Sequence, residues 1–491
     1  MWTVFAVVAF ALLVVATVSA GSVIPTPISD DPYTDGGSGH QHKTQLEPDS
    51  YAHGQKIVAL TQSGRWYGGG GASNLVFSTS QNGGRTWTTG GLPGTTVNEG
   101  GPWPRISDPS IAYDPQDDVW LALGLGIDSG GNGHILLVNR STNGGLSWSN
   151  PVTAGVASGF WDKTWITCDT WPQSPHYGNC YIEFDDFSGG NEMSMVTSTD
   201  GGLTWSPVRT PGCSSGLGGQ PVVQPNGNVI VPYSNNGGAE SSFRSTNGGD
   251  SWSGCTPISG VSESGVPFIR TFSLPSAEVA GDGKVYVAWQ DCRFRTGCSS
   301  NDIVYSTSMD GLTWSQVTRI PIDPVSSTVD HFLPGIAVDK NTSGSGTHLA
   351  VTYYYFPNNN CTLQTCELTV GFTSSLDGGT SWTPGFKIGG PMKVPWIANT
   401  NQGYMVGDYI STSFTGDGKA HPVFSLAKPP DSGPNGSCYP NNSGCRQRLT
   451  SATFDITLPP PTPAVQTRRE PVARGLNRHP EDAPLGYPTA N

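Results

Sequence analysis

Positive charge is scarce in this chain, and charge of either sign is uncommon. Its 491 residues include 25 Lys and Arg against 38 Asp and Glu, which gives a formal net charge of −13. Only 13% of the residues are charged. A surface with this excess of negative charge repels phosphate backbones and anionic lipid headgroups. The composition therefore argues against nucleic acid or an anionic membrane as the partner.

The motifs of several common enzyme classes are also missing. The sequence contains no phosphate-binding loop and no dinucleotide fingerprint. It lacks HExxH and CxxC, and histidines such as His134 and His331 do not have the spacing of metal ligands. We therefore expect no metal site and no cofactor.

The chain begins with an uncharged segment. Residues 1–20 have an apolar centre from Val4 to Val15 and end in Val18-Ser19-Ala20, a small-x-small cleavage pattern. This pattern predicts a secretory signal peptide cleaved after Ala20. An uncleaved anchor is the alternative, because the apolar run is near the lower limit for crossing a bilayer. After cleavage we expect no membrane contact.

Cysteine usage also favours secretion. The ten cysteines are an even number, which is typical of proteins from oxidising compartments. Their spacing suggests five local pairs: Cys168 with Cys180, Cys213 with Cys255, Cys292 with Cys298, Cys361 with Cys366, and Cys438 with Cys445. Sequons at Asn139, Asn341, Asn360, Asn435 and Asn441 fit a secreted glycoprotein. We expect an extracellular protein.

One eight-residue pattern occurs six times, with the copy at Ser308 one residue shorter. It reads STDGGLTW from Ser198 to Trp205, and its variants begin at Ser80, Ser141, Ser245, Ser308 and Ser375. Each copy follows an apolar run with strand character, so Asp or Asn caps a tight turn and Gly supplies a positive φ. The copies lie about sixty residues apart, a period that fits one four-stranded sheet per repeat of a β-propeller.

This pattern resembles the Asp-box, or BNR repeat, of the sialidase superfamily of β-propellers. The resemblance covers residues 46–457 and implies an all-β propeller with six or seven blades. Seven first-strand signals favour seven blades. The alternative is that the first or last unit is completed by strands from the opposite terminus. Residues 21–45 are predicted to be a flexible lead-in, and residues 458–491 a Pro-rich disordered tail.

Candidate site residues stand at the starts of the predicted first strands, which converge near a propeller's axis. Sialidases, as the resemblance implies, hold a substrate carboxylate with three arginines. They use a Tyr activated by Glu as the nucleophile and an Asp as the acid/base. The segment WPRIS around Arg105 is a partial match to the family's first arginine motif. The candidates for catalysis are Asp108, Asp162, Glu278 and Tyr409, with Tyr404 as another possible nucleophile. The candidates for substrate binding are Arg105, Arg270, Asp291, Arg293, Asp330 and Asp408.

Two functions follow from these residues. The first is a secreted sialidase-like glycoside hydrolase that acts on a terminal, possibly acidic, sugar of an extracellular glycan. The second is a non-catalytic propeller that binds glycan or protein, which the incomplete arginine motif and the seventh unit favour. The sequence predicts no oligomeric state.

Overall fold

The computed structural model describes residues 25–37, 39–439 and 444–460. The predicted signal peptide lies outside these residues, as does the predicted tail beyond residue 460. The described part is built from thirty-one β-strands, and its helices are five short 3-10 turns. The 3-10 turns are Val97–Glu99, Phe187–Gly189, Thr296–Cys298, Gly344–Gly346 and Val394–Trp396. No helix in the described part is long and apolar enough to cross a membrane.

The strands form successive antiparallel groups, here called units 1 to 7. Unit 1 contains β2 (His40–His53), β3 (Lys56–Trp66), β4 (Ala72–Ser80) and β5 (Thr88–Gly91). Unit 2 contains β6 (Arg105–Asp114), β7 (Val119–Ile127), β8 (Gly133–Ser141) and β9 (Val152–Val156). Unit 3 contains β10 (Trp161–Cys168), β11 (Cys180–Asp186) and β12 (Glu192–Ser198).

Units 4 to 6 repeat this plan. Unit 4 contains β13 (Gly216–Leu217), β14 (Val222–Val223), β15 (Val229–Asn235), β16 (Ala239–Ser245) and β17 (Thr256–Gly260). Unit 5 contains β18 (Ser276–Val279), β19 (Val285–Asp291), β20 (Asp302–Ser308) and β21 (Thr318–Arg319). Unit 6 contains β22 (Asp330–Val338), β23 (Leu349–Phe356), β24 (Glu367–Ser375) and β25 (Phe386–Lys393).

Unit 7 joins the two ends of the described chain. A hairpin of β26 (Ala398–Thr400) and β27 (Gly403–Met405) precedes it. The unit contains β28 (Ser411–Phe414), β29 (Lys419–Ala427), β30 (Gln447–Ser451) and β31 (Phe454–Asp455). The first strand, β1 (Thr26–Pro27), pairs with β30 on its outer side. The predicted lead-in therefore contains β1 and the start of β2.

The first strands of the units contact one another in turn. β2 contacts β6, β6 contacts β10, β10 contacts β14, β14 contacts β18, β18 contacts β22, β22 contacts β28, and β28 contacts β2. Buried apolar side chains fill the space between neighbouring units rather than one central core. Leu60 and Trp120, for example, share the cluster between units 1 and 2, and Leu125 and Phe184 share the cluster between units 2 and 3.

The Asp-box turns lock neighbouring units together. In unit 3 the Asp200 carboxylate accepts hydrogen bonds from the amide and hydroxyl of Thr204, at 2.9 and 2.6 Å. The Gly202 amide donates to Ser198 Oγ at 2.9 Å. Arg140 of unit 2 donates to the Gly201 carbonyl at 2.6 Å. The turn therefore closes on itself and also binds the preceding unit. The five predicted disulfides are confirmed.

Candidate functional site

Three β-bulges place charged residues at the same end of the first strands. Strand pairing shifts register around Glu47 in β2, Asp108 in β6 and Lys163 in β10. These residues have φ values of 56°, 50° and 54°, in the left-handed region. Such a conformation costs about 1–3 kcal/mol for a residue with a side chain. A bulge changes the direction of the side chain of its extra residue. Each of these three charged side chains is therefore placed at the cost of backbone strain.

These residues line a cavity of about 250 Å³. Its charged lining consists of Glu47, Arg65, Asp108, Asp162, Lys163 and Arg270. Phe160 and Met405 supply apolar wall, and Gly69, Gly70 and Gly131 lie at the edge. The cavity is thus lined by three cations and three carboxyl groups.

Asp408 holds two of these cations. Its Oδ2 lies 2.6 Å from Lys163 Nζ and 2.5 Å from Arg270 Nη2, and its carboxylate is fully buried. Asp162 Oδ2 approaches Lys163 Nζ at 3.9 Å from the other side. Removing water from charges is costly unless they are paired. Asp408 therefore compensates the burial of Lys163 and Arg270.

A chain of hydrogen bonds connects Glu47 to Asp108. Gln62 Nε2 donates to Glu47 Oε2 and lies 3.2 Å from Ser107 Oγ. Ser107 Oγ in turn donates to Asp108 Oδ1 at 2.8 Å. The amide of Asp408 donates to Glu47 Oε1 at 3.2 Å. Both carboxyl groups are therefore fixed by polar neighbours.

The electrostatics favour protonated forms of two carboxyl groups. Burial, and next the charge of Asp408, raise the pKa of Glu47 to about 8. Burial, and next the charge of Asp162, raise the pKa of Asp108 to about 6. Burial also opposes ionisation of Asp408, but Arg270 and Lys163 outweigh it and lower that pKa. The site therefore combines Glu47, which favours its protonated form at neutral pH, with Asp408, which favours its ionised form.

The cations respond differently to the same surroundings. Burial, and next the nearby charge of Arg270, lower the pKa of Arg65 to about 10, which still leaves it charged at neutral pH. Burial also disfavours the charged forms of Lys163 and Arg270. Asp162 and Asp408 nevertheless raise the pKa of Lys163, and Asp408 and Glu47 raise that of Arg270. All three side chains are cations at neutral pH.

A second pair of carboxyl groups lies deeper, on β11. Glu183 and Asp185 are fully buried, and Asp185 accepts from the Gly218 amide at 3.2 Å. Burial raises the pKa of each well above its usual range, and the mutual repulsion of the pair adds to the shift of Glu183. Burial therefore disfavours the ionised form of both carboxyl groups.

Several predicted site residues come together here. Asp108, Asp162 and Arg270 line the cavity, and Asp408 contacts Arg270 directly. Tyr409 follows Asp408 in the chain, and its hydroxyl donates to the Pro109 carbonyl at 3.0 Å. Burial, and next the charge of Glu47, raise the pKa of Tyr409.

Arg105 lies at the rim of the cavity. Its guanidinium stacks on Trp66, with 4.4 Å from Cζ to the ring centroid. It donates to the carbonyls of Gly68 and Gly70, at 2.8 and 3.1 Å. Arg105 thereby fixes the glycine loop that borders the cavity.

The remaining candidates lie elsewhere. Arg293 pairs with Asp291 at 2.6 Å and donates to the Gly260 carbonyl. Asp330 accepts from the amide and side chain of Asn301, at 2.8 and 2.9 Å. Glu278 lines a separate cavity of about 430 Å³ with Tyr51, His53, Trp171 and Lys340. Among the described residues, no hydrogen bond joins Glu278 to Tyr409 or Tyr404.

The site also contains residues that sequence reasoning missed. Glu47, Arg65 and Lys163 line the cavity but were not among the candidates. The signal for one of them, Glu47, is an acidic residue followed by proline, which the sequence repeats at Asp108. Glu47-Pro48 and Asp108-Pro109 occupy corresponding bulges in β2 and β6, and Lys163 takes the same position in β10.

Comparison with known proteins gives structural likeness only. No family model and no curated protein sequence matches the chain. The NanB sialidase from Streptococcus pneumoniae is 14% identical, with a TM-score of 0.42, over 87% of this chain and 71% of the sialidase. The intramolecular trans-sialidase from Ruminococcus gnavus is 13% identical, with a TM-score of 0.43, over 88% of this chain and 98% of that protein.

An arabinanase is equally similar. The α-L-arabinanase from Penicillium chrysogenum is 12% identical, with a TM-score of 0.43, over 89% of this chain and 98% of the arabinanase. The solved structures that are similar to this chain thus include sialidases, as the Asp-box pattern predicts. At these values the likeness identifies no residue and no reaction of this chain.

Proposed function

We propose that this protein is a secreted glycoside hydrolase with a sialidase-like fold, acting on a terminal, acidic sugar of extracellular glycans. The observation that carries the proposal is the cavity in which Arg65, Lys163 and Arg270 face Asp108 and Asp162. Guanidinium and ammonium groups in a dry cavity bind a carboxylate strongly. A paired acid and carboxylate are what hydrolysis of a glycosidic bond requires.

The proposed roles follow from the local charges. Asp108, with a pKa raised to about 6, carries a proton at mildly acidic pH and donates it to the leaving oxygen. Asp162 is partly exposed and stabilises the positive charge that develops on the sugar ring as the glycosidic C–O bond breaks; water then adds to that carbon, and its proton returns to Asp108. Arg65, Lys163 and Arg270 bind the substrate carboxylate, and Asp408 positions the last two.

The proposed architecture is one seven-bladed propeller, with each unit as a blade. What supports this count is the succession of contacts between the seven first strands, in which β28 meets β2. Signal-peptide cleavage is proposed after Ala20, and the seven units extend from β2 to β31, with the tail from 458. Five disulfides fit an extracellular location.

A second function is a propeller that binds an acidic glycan without cleaving it. Tyr409 favours it, because its hydroxyl is engaged with a backbone carbonyl and burial raises its pKa. An activated tyrosine nucleophile has the opposite shift.

The first experiment measures free sugar released by the purified protein from a glycan panel. The panel contains α-linked sialosides, uronic-acid polysaccharides and neutral arabinans. Asp108→Asn is expected to lower kcat/KM at least about 100-fold, as for loss of a general acid. The kcat/KM of the wild type should decline as pH rises through about 6, since Asp108 loses its proton there.

Matched controls separate chemistry from folding. Asp250 and Arg85 are exposed and distant from the cavity, so Asp250→Asn and Arg85→Ala should retain full activity. Release of sialic acid or a uronic acid, lost in Asp108→Asn but kept in Asp250→Asn, supports the proposal. Release of a neutral sugar alone rejects acidic recognition. Binding without release, weakened by Arg270→Ala but not by Arg85→Ala, selects the binding propeller.

A further inference from the structure

A second cluster of ionisable side chains lies where the chain enters unit 1. Asp35, His40 and His42 each present a ligand atom, and these atoms lie within 4.8 Å of one another. His40 and His42 are two residues apart on β2, so their side chains leave the same face of the strand. The loop before β2 brings Asp35 to this face.

The contacts within the cluster leave one ring nitrogen of each histidine without a hydrogen bond. His40 Nδ1 lies 2.8 Å from Asp35 Oδ2, but it is a buried atom that makes no hydrogen bond, and His40 is only 8% exposed. His42 Nδ1 is likewise buried without a hydrogen bond. Each nitrogen thus faces a carboxylate oxygen, Asp35 Oδ2 for His40 and Asp31 Oδ2 for His42, without a hydrogen bond to it. Imidazole nitrogens and carboxylates that face each other in this way point to a cation that both share.

The surroundings orient the imidazole of His42 as a metal ligand. Its Nε2 lies 2.7 Å from the Asp35 carbonyl oxygen, so a proton on Nε2 is donated there and the lone pair falls on Nδ1. Metal-binding histidines are typically held in this way by a backbone carbonyl or a carboxylate. Asp31, with a fully buried carboxylate, lies 3.6 Å from the same Nδ1. It is held by the amides of Tyr33 and Lys43.

Another cluster of Asp and His residues differs from this one because arginines pair with its carboxylates. Asp302, Asp323 and His331 also lie close together, but Arg295 and Arg319 each pair with both carboxylates at 2.5–2.8 Å. Those guanidinium groups already supply the positive charge. In the described part of the chain, neither Asp31 nor Asp35 forms an ion pair with Lys or Arg; their charged partners there are His40 and His42, and Ser73 Oγ also donates to Asp35 Oδ2 at 3.1 Å.

We propose that Asp35, His40 and His42 bind a divalent transition metal ion, with Zn²⁺ as the best match to two imidazoles and a carboxylate. Zinc sites with three protein ligands keep a fourth position for water. Here the carboxylate of Asp31 lies beside that position. Two bonds of about 2.1 Å span roughly 4 Å, so small side-chain movements bring these ligand atoms onto one ion.

The ion links the segment before β2 to the rim of the charged cavity. The ring of His40 packs against Trp66 in a tilted arrangement, with 4.0 Å between centroids. Trp66 also contacts the guanidinium of Arg105, which donates to the Gly68 and Gly70 carbonyls. Occupancy of the site thus fixes the segment that carries Asp35 and, through Trp66, the glycine loop at the cavity edge.

The experiment is zinc titration of the full-length secreted protein, purified without a polyhistidine tag and stripped with EDTA. Isothermal titration and metal analysis after dialysis should give one equivalent of bound Zn²⁺ per chain. Added Zn²⁺ should raise the melting temperature of the wild type. Both effects should be lost in His42→Ala and in Asp35→Asn, which are less buried than His40 and therefore less prone to misfold.

The control is His348→Ala. His348 also lies near an aspartate, with Nδ1 3.9 Å from Asp339, but it has no second histidine beside it. This variant should bind one equivalent of Zn²⁺ as the wild type does. Absence of stoichiometric binding by the wild type overturns the proposal, and so does equal binding by His42→Ala. These readouts are independent of any hydrolytic activity.

Discussion

Glu47 keeps its proton at a pH where an exposed glutamate has lost it, because it is buried and lies near Asp408. Its pKa is about 8 in the folded protein, against an ordinary value of 4.5. Between these values the folded protein binds a proton that the unfolded chain has released. This contribution to the free energy of unfolding is therefore fully present below pH 4.5 and is lost as pH rises through about 8.

The prediction is that Glu47→Gln makes the free energy of unfolding less dependent on pH between 5 and 9. Glutamine has nearly the same shape and still accepts from the Asp408 amide, but it releases no proton. Urea denaturation at several pH values measures the slope. The control is Glu367→Gln, at an exposed position of β24, which should keep the wild-type slope. Parallel slopes for wild type and Glu47→Gln would contradict the assignment.

Sequence reasoning found part of this site and missed part, for a physical reason. Asp108, Asp162, Arg270 and Asp408 were candidates because they stand in or just before predicted first strands. Glu47, which lies in the bulge of β2, was not a candidate. A bulge depends on how two strands align, so the sequence does not reveal where the extra residue points. The contact between Asp408 and Lys163 joins positions 245 residues apart, which no local pattern predicts.

At the scale of single elements, the Asp-box turns carry the contacts between units. Gly202 shows why this turn requires glycine. Its φ is +77°, and a Cβ placed there would lie 2.9 Å from Leu121 Cδ2 in β7 of the preceding unit. A side chain at this position is disfavoured by the backbone and by the neighbouring unit together.

Gly202→Ala is expected to lower the free energy of unfolding by about 2 kcal/mol, since it combines a left-handed residue with overpacking. The matched change is Gly265→Ala. No atom lies within 4 Å of a Cβ built there, and its φ is not positive. That variant should stay within about 0.5 kcal/mol of the wild type. Equal stability of the two variants in urea denaturation would show that the turn tolerates a side chain.

Elements whose stabilising contacts join residues close together in the sequence could be predicted. The turns and the five disulfides were inferred correctly because their partners are close in the chain or belong to a repeated motif. The His-x-His pair at residues 40 and 42 was not recognised, because it falls in a segment interpreted as a flexible lead-in. Its third partner, Asp35, reaches it only through the fold of that segment.

At the scale of the whole molecule, the start of the described chain completes the last unit. β1 pairs with β30, and the Ile28 amide donates to the Leu449 carbonyl at 2.9 Å. The side chain of Ile28 packs with Ala59 of unit 1 and with Val423 and Leu449 of unit 7. The sequence left open whether a terminal strand completes an end unit, because such a pairing joins residues more than 400 positions apart.

Truncation of Ile28 should therefore weaken the junction between units 1 and 7. Ile28 is 5% exposed, and replacing a buried isoleucine by alanine costs about 2–5 kcal/mol. Leu203 is an apolar residue of similar size but 52% exposed, so Leu203→Ala should cost less than about 1 kcal/mol. Thermal and urea denaturation of both variants measure the difference. If the terminal strand closes the molecule, hydrogen exchange in Ile28→Ala should rise in β30 and β29 while β15 and β19, on other units, remain protected. Uniform acceleration across all units would instead indicate general destabilisation, and unchanged exchange in β30 would show that the junction does not depend on β1.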